Sequence, residues 1–187
     1  YSAAVVVDCT KAPYKIVAKY RDNDIKPIVF PNILQKIGNA YNKAFMLIEI
    51  NDLGQQVADS LQFELEYDNM MMVTQRGRSG QVLGGGFSGR GNQLGLRMTK
   101  GTKKIGTSNL KSLIEGDKLI IQDFDMISEL STFIAKGKSF EAEPGSHDDL
   151  VMCLVIFSWA ANQRYFKELT DVNVRGQMFT EQQNAIE

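Results

Sequence analysis

Three carboxylates stand where ionisable groups are expensive. Glu49 lies in FMLIEI (residues 45–50), whose other members are all apolar, and Asp148 and Asp149 directly precede the run LVMCLVIF. A charge in such a setting is costly unless it is paired, hydrogen-bonded or bound to metal. Acids converging from a strand and a buried helix meet the needs of two-metal phosphodiester hydrolysis. Their oxygens hold two divalent ions about 4 Å apart, one activating water and the other stabilising the leaving oxygen. Plainer roles exist for each acid. Glu49 is also readable as a strand-end carboxylate that reaches solvent or an arginine. Ser146 and Asp149 have the spacing of a capping box, and acids in a first turn complement the helix dipole. Capping accounts for one aspartate and leaves the other for chemistry. His147, the chain's single histidine, adjoins the pair and has no assigned role.

Composition narrows the choice of metal. Two cysteines and one histidine, far apart in the 187 residues, do not supply the four ligands of a structural zinc site. Cys9 and Cys153 sit in apolar runs and read as unpaired thiols in a reducing compartment. A metal here is held by carboxylates, which points to Mg²⁺ or Mn²⁺. No stretch reaches membrane-spanning length and no signal peptide opens the chain, so a cytosolic protein is the simplest expectation.

Charge is unevenly spread. Between Asn69 and Ile114 there are eight cations (Arg76, Arg78, Arg90, Arg97, Lys100, Lys103, Lys104 and Lys111) and no acid, leaving 13 cations against 22 acids elsewhere. The same block holds ten of the 16 glycines. A flexible cationic segment on an otherwise acidic chain suits a polyanion such as DNA, because neutralising phosphates releases counterions. One of its lysines can also offset charge on a scissile phosphate. The alternative is a disordered solubilising insertion.

The elements that must position these groups follow from pattern. Strands are predicted over SAAVVVDC, YKIVAKY and IKPIVF, forming a meander of hairpins, with a helix over PNILQKIGNAYNKA. FMLIEI reads as a central strand covered on both faces, with Glu49 near its C-terminal end, where α/β sheets open their binding crevice. Val57, Leu61 and Leu65 mark a second helix, and NMMMV a further strand. TSNLKSLIE predicts a short helix stopped at Gly116, KLIIQ a strand, and DFDMISELSTFIAKG a helix. The run after Asp149 is apolar around its circumference and predicts a buried helix. Residues 167–187 lose periodicity and read as a tail. The order of elements gives an α/β layered fold with a mixed sheet flanked by helices. No GxxxxGK[ST] is present, so P-loop nucleotide hydrolysis is not encoded in these residues.

Three segments, FMLIEINDLGQQVADSL, MTKGTKKIGTSNLKSLIEGDKLII and SHDDLVMCLVIFSW, together resemble the C-terminal nuclease domain of the large terminase subunit of tailed bacteriophages, most closely the T-even type. The likeness covers nearly the whole chain. It implies an RNase H-like (RuvC/resolvase-type) domain over residues 1–166 and a magnesium-dependent endonuclease that cuts concatemeric double-stranded viral DNA during headful packaging. An ATPase domain upstream in the same polypeptide, the portal, the small terminase subunit and the cytoplasm of the infected bacterial host are implied with it. By position, Glu49 and Asp149, with Asp148 beside it, match the family's metal ligands. Arg76, Arg78, Arg90, Arg97, Lys100, Lys103 and Lys104 become the DNA-contacting cations. The glycine-rich stretch from Gly77 to Gly95 is longer than the family's pattern.

The third acid of the family triad sits on the first, central strand, and the match places Tyr1 after that strand. Asp8, at the end of VVVDCT, then reads as structural, and the missing ligand lies upstream. Two other readings use the same scaffold. A non-catalytic DNA-binding or motor-docking module predicts salt-sensitive, metal-independent DNA binding, and a resolvase-like nuclease predicts preference for branched or end-specific substrates.

Overall fold

The computed structural model describes residues 2–77, 80–84, 91–137 and 139–170. The chain opens with an antiparallel hairpin of β1 (Ser2–Asp8) and β2 (Tyr14–Asp22), in which Ser2 faces Asp22 and Asp8 faces Lys15. Burial alternates along β2, as a pleated strand covered on one face requires.

The third expected strand, IKPIVF, does not form. The amide of Val29 turns back onto the carbonyl of Lys26 at 2.9 Å, and Phe30 already opens α1 (Phe30–Ala40). Pro27 has no N–H to give a ladder, while Pro31 fits the first turn of a helix. The meander is therefore a single hairpin. It is extended on its other side by β6 (Leu119–Ile120), which runs parallel to β2, so the order β1-β2-β6 makes a mixed sheet.

A second sheet, order β4-β3-β5, is antiparallel and combines β3 (Met72–Arg76), β4 (Gly80–Leu83) and β5 (Asn92–Leu94). Part of the glycine-rich stretch is thus regular strand. FMLIEI runs beside this sheet as an extended segment joined by two parallel bridges, Met46 to Met70 and Glu49 to Leu96, rather than as a continuous ladder. The amide and carbonyl of Met46, the carbonyl of Ile48 and the amide of Ile50 all bond toward that side. The opposite edge, presenting the amides and carbonyls of Leu47 and Glu49, has no backbone partner among the described residues.

After α2 (Gly54–Asp59), which continues into a wider π-type turn at Ser60–Glu64, the next helix is longer than expected. α3 (Lys100–Glu115) starts seven residues before Thr107, because the Thr99 side chain caps it by accepting from the Thr102 amide at 3.1 Å. It ends at Gly116 as expected. α4 (Phe124–Ser131) is shorter than predicted. The Ser131 and Thr132 hydroxyls bond back to the carbonyls of Ser128 and Glu129, at 2.7 and 3.2 Å, and the chain then turns into β7 (Phe133–Lys136), paired with β8 (Ser139–Ala142). Hydroxyl back-bonding competes with helix continuation, and the ring stack of Phe133 on Phe140 rewards the hairpin.

The helix after the acid pair, α5 (Asp149–Ala161), lies at the centre. Leu150, Val151, Leu154 and Val155 pack with Leu110, Leu119 and Met126, whereas Ile156, Trp159 and Ala160 pack with Val73, Leu83 and Leu96. One helix thereby fills the space between the β1-β2-β6 side and the second sheet, which is why it is apolar on every face. Residues 164–170 are helical, cross the expected domain limit at 166, and bury Phe166 in the core. Residues 171–187 of the expected tail lie outside the described residues. No helix among the described residues is long and apolar enough to cross a membrane.

Candidate active site

Glu49 is positioned by the loop that follows it. The Asn51 amide side chain clamps the Met98 backbone from both directions, donating to its carbonyl at 2.9 Å and accepting from its amide at 2.7 Å. This ties the Glu49 segment to the residues that lead into α3. Gly54 lies so close to the Glu49 carbonyl that a Cβ there would fall 1.8 Å from the oxygen, so the turn beside Glu49 requires glycine.

The clamp brings Lys103, in the first turns of α3, to the acids. Its Nζ lies 3.6 Å from Asp148 Oδ2, with the two side chains only 17% and 28% exposed. The ammonium also sits 5.5 Å from the centroid of the Phe133 ring. Burial raises the Glu49 carboxyl above its usual range, Asp52 and Asp148 add to the rise, and Lys103 opposes it. Glu49, Asp148 and Lys103 therefore feel one another directly. Asp52, in a loop residue with positive φ, was not singled out from sequence; its place in NDLG looked like ordinary turn chemistry.

The aspartates do not cap their own helix. Asp148 is the N-cap residue but makes no side-chain capping bond, and the Ser146 amide bonds instead to the Glu143 carbonyl at 2.9 Å. The predicted capping box is absent because another element supplies the acceptor. Glu129 of α4, 5% exposed, accepts from the amides of Leu150 and Val151 at 2.8 and 3.1 Å. Asp149 is thereby left with a buried Oδ2 that has no hydrogen-bond partner among the described residues. Burial raises its carboxyl, with Glu129 and Asp148 adding to the rise and His147 opposing it. Cys153, one turn further along α5, is a free thiol pushed up to about 12 by burial and by the neighbouring charges of Glu49, Asp149 and Glu129. That thiol stays protonated and is a poor metal ligand.

Of the expected DNA-contacting cations, Arg76, Arg97, Lys100 and Lys104 are exposed on β3, the lead into α3 and α3 itself, while Lys103 turns inward to the acids. Arg78 and Arg90 lie outside the described residues. Asp8 is occupied elsewhere. Its Oδ1 accepts from the Thr10 hydroxyl at 2.7 Å and the Thr10 amide at 3.0 Å, closing the β1-β2 turn, and these bonds hold its carboxyl below the usual range.

The donors are hard carboxylate oxygens, and one of them is buried and unbonded, which suits Mg²⁺ or Mn²⁺. No group of three His, Cys, Asp or Glu among the described residues is placed to hold an ion by itself. Mg²⁺ commonly takes one or two carboxylates and completes its shell with water and substrate phosphate, and Glu49 with Asp148 or Asp149 fits that pattern.

The model of one family, the terminase RNase H-like domain, matches residues 1–160. That span runs from the hairpin into the last turn of α5 and includes Glu49, Asp148, Asp149 and Glu129. A mixed sheet flanked by helices, acids on the segment beside the second sheet and at the start of the central helix, and this match over most of the chain lead to one conclusion: the protein belongs to the terminase RNase H-like domain family.

Proposed function

We propose that the chain is the metal-dependent endonuclease domain of a large terminase subunit, cutting concatemeric double-stranded viral DNA during headful packaging. The observation that carries this reading is the pairing of Asp148 with the largely buried Lys103, whose charge also reaches the half-buried Glu49, together with the unbonded Oδ2 of the adjoining Asp149. When bound, two Mg²⁺ or Mn²⁺ ions would activate water and stabilise the leaving oxygen. Glu49, Asp149 and Asp148 would hold them. Lys103 offers its ammonium to the scissile phosphate, and the exposed Arg76, Arg97, Lys100 and Lys104 hold the flanking backbone. The remaining acid is assigned to a central strand upstream of Tyr1. Two open backbone edges support that assignment: the outer edge of β1 and the Leu47/Glu49 edge, neither paired among the described residues. The reading includes an upstream packaging ATPase domain, the portal and the small terminase subunit as partners, in the cytoplasm of an infected bacterium.

The test is plasmid nicking with added Mg²⁺ by a polypeptide extended upstream of Tyr1. Glu49→Ala and Asp149→Ala are expected to abolish cutting while duplex binding persists; full activity of either variant rejects the assignment. A non-catalytic DNA-binding module is the second reading, favoured by the exposed cations Arg76, Arg97, Lys100 and Lys104. It predicts no nicking by the extended polypeptide and duplex binding indifferent to divalent ions.

A further inference from the structure

Helix α5 begins with two acids, yet neither satisfies its amides. The first four N–H groups of a helix lack intrahelical acceptors, and an N-cap Asp ordinarily supplies one. Here the acceptor comes from α4. Glu129 Oε2 takes the Leu150 and Val151 amides at 2.8 and 3.1 Å, and Oε1 receives Arg21 NH1 at 2.6 Å. Arg21 belongs to β2, opposite Ala3 of β1. One buried carboxylate thus joins β2, α4 and the first turn of α5 through three charge-assisted bonds, which are shorter and stronger than neutral ones.

We propose that Glu129 is a positioning residue for the acid pair. By capping α5 from outside, it relieves Asp148 and Asp149 of the helix amides and fixes the backbone that carries them. The consequences are visible in both aspartates. Asp148 has no capping bond and turns to Lys103, and Asp149 keeps an unbonded oxygen. Without Glu129, the N-cap residue Asp148 is the one whose side chain can accept from these second and third helical amides, and a carboxylate folded back onto its own helix is withdrawn from an ion. Glu129 touches neither substrate nor metal in this scheme; it acts through the helix start. The inference rests on the reading of Asp148 and Asp149 as metal ligands.

The experiment compares Glu129→Ala and Glu129→Gln with the unaltered protein, below the melting temperature of each. Two readouts are needed: amide hydrogen exchange at Leu150 and Val151, and Mn²⁺ affinity by paramagnetic resonance titration. Duplex DNA binding without divalent ions serves as the control. Glu129→Ala should speed exchange at both amides and weaken Mn²⁺ binding by about 10–100-fold, the usual cost of losing a group that orients metal ligands, with duplex binding unchanged. Glu129→Gln keeps one oxygen acceptor and should show the same two effects at smaller size. Faster exchange with unaltered Mn²⁺ affinity reduces Glu129 to a structural cap and overturns the proposal. Unchanged exchange overturns it as well. If the alanine variant does not fold, the glutamine variant decides by the same criteria. If the unaltered protein binds no Mn²⁺, the metal-ligand reading fails instead, and the exchange data still report whether Glu129 is the cap.

Discussion

Lys103 Nζ lies 3.6 Å from Asp148 Oδ2, so a helix counted from sequence as part of a DNA-binding face delivers a cation into the acid cluster. Two roles separate on this geometry. Lys103→Met is expected to lower Mg²⁺-dependent nicking by about 10–100-fold, in the range found on removing a group that stabilises transition-state charge. It should leave the salt dependence of duplex binding nearly unchanged. Parallel nicking assays and salt titrations check this, and a large change in salt slope with intact nicking would reassign Lys103 to the outer surface.

The exposed cations should behave in the opposite way. Arg97→Ala, Lys100→Ala and Lys104→Ala are each expected to flatten the plot of log K against log salt by about one unit if the residue contacts one phosphate. Fluorescence anisotropy on a short duplex at several salt concentrations measures the slopes.

Burial lifts the Glu49 and Asp149 carboxyls above the usual range. The folded state then binds those protons more tightly than the unfolded chain. The stability they contribute is present below the ordinary carboxylate range and is lost as pH rises through the raised values. Glu49→Gln removes one such cost. Without divalent ions it should melt at a higher temperature than the unaltered protein at pH 7.5. The difference should vanish near pH 4. Calorimetry at both pH values tests the sign, and a lower melting temperature at pH 7.5 would contradict it.

A Cβ on Gly106 would fall 2.6 Å from the Val155 carbonyl oxygen, where α3 packs on α5. Gly106→Ala must push the two helices apart. Overpacking costs about 1–3 kcal/mol and outweighs the gain of about 1 kcal/mol from replacing a helical glycine. Gly101→Ala, whose Cβ meets nothing closer than the Thr99 hydroxyl at 3.7 Å, should instead raise stability. Thermal melts of the two variants are expected to move in opposite directions.

Much of this molecule was legible from residue order. Charges set in apolar runs singled out Glu49 and the Asp148–Asp149 pair, and the fully apolar run after them announced a buried helix, because desolvation cost and hydrophobic period are local properties. The hairpin, the first helix and the Gly116 stop followed from the same kind of signal. Where sequence reading failed, a distant partner had decided the outcome. IKPIVF became a turn and a helix start, and STFIAKG left its helix because a strand stood ready to pair with it. Glu129 gave no sign of itself, since in SELSTF it looks like one more solvent-facing helical acid. Only packing α4 against the first turn of α5 buries it and sets its oxygens on two orphan amides. The sequence by itself determined which acids were too costly to be incidental. The tertiary structure decided which was free for chemistry and which was spent on holding the helix, because hydrogen-bond partners are chosen by proximity in space.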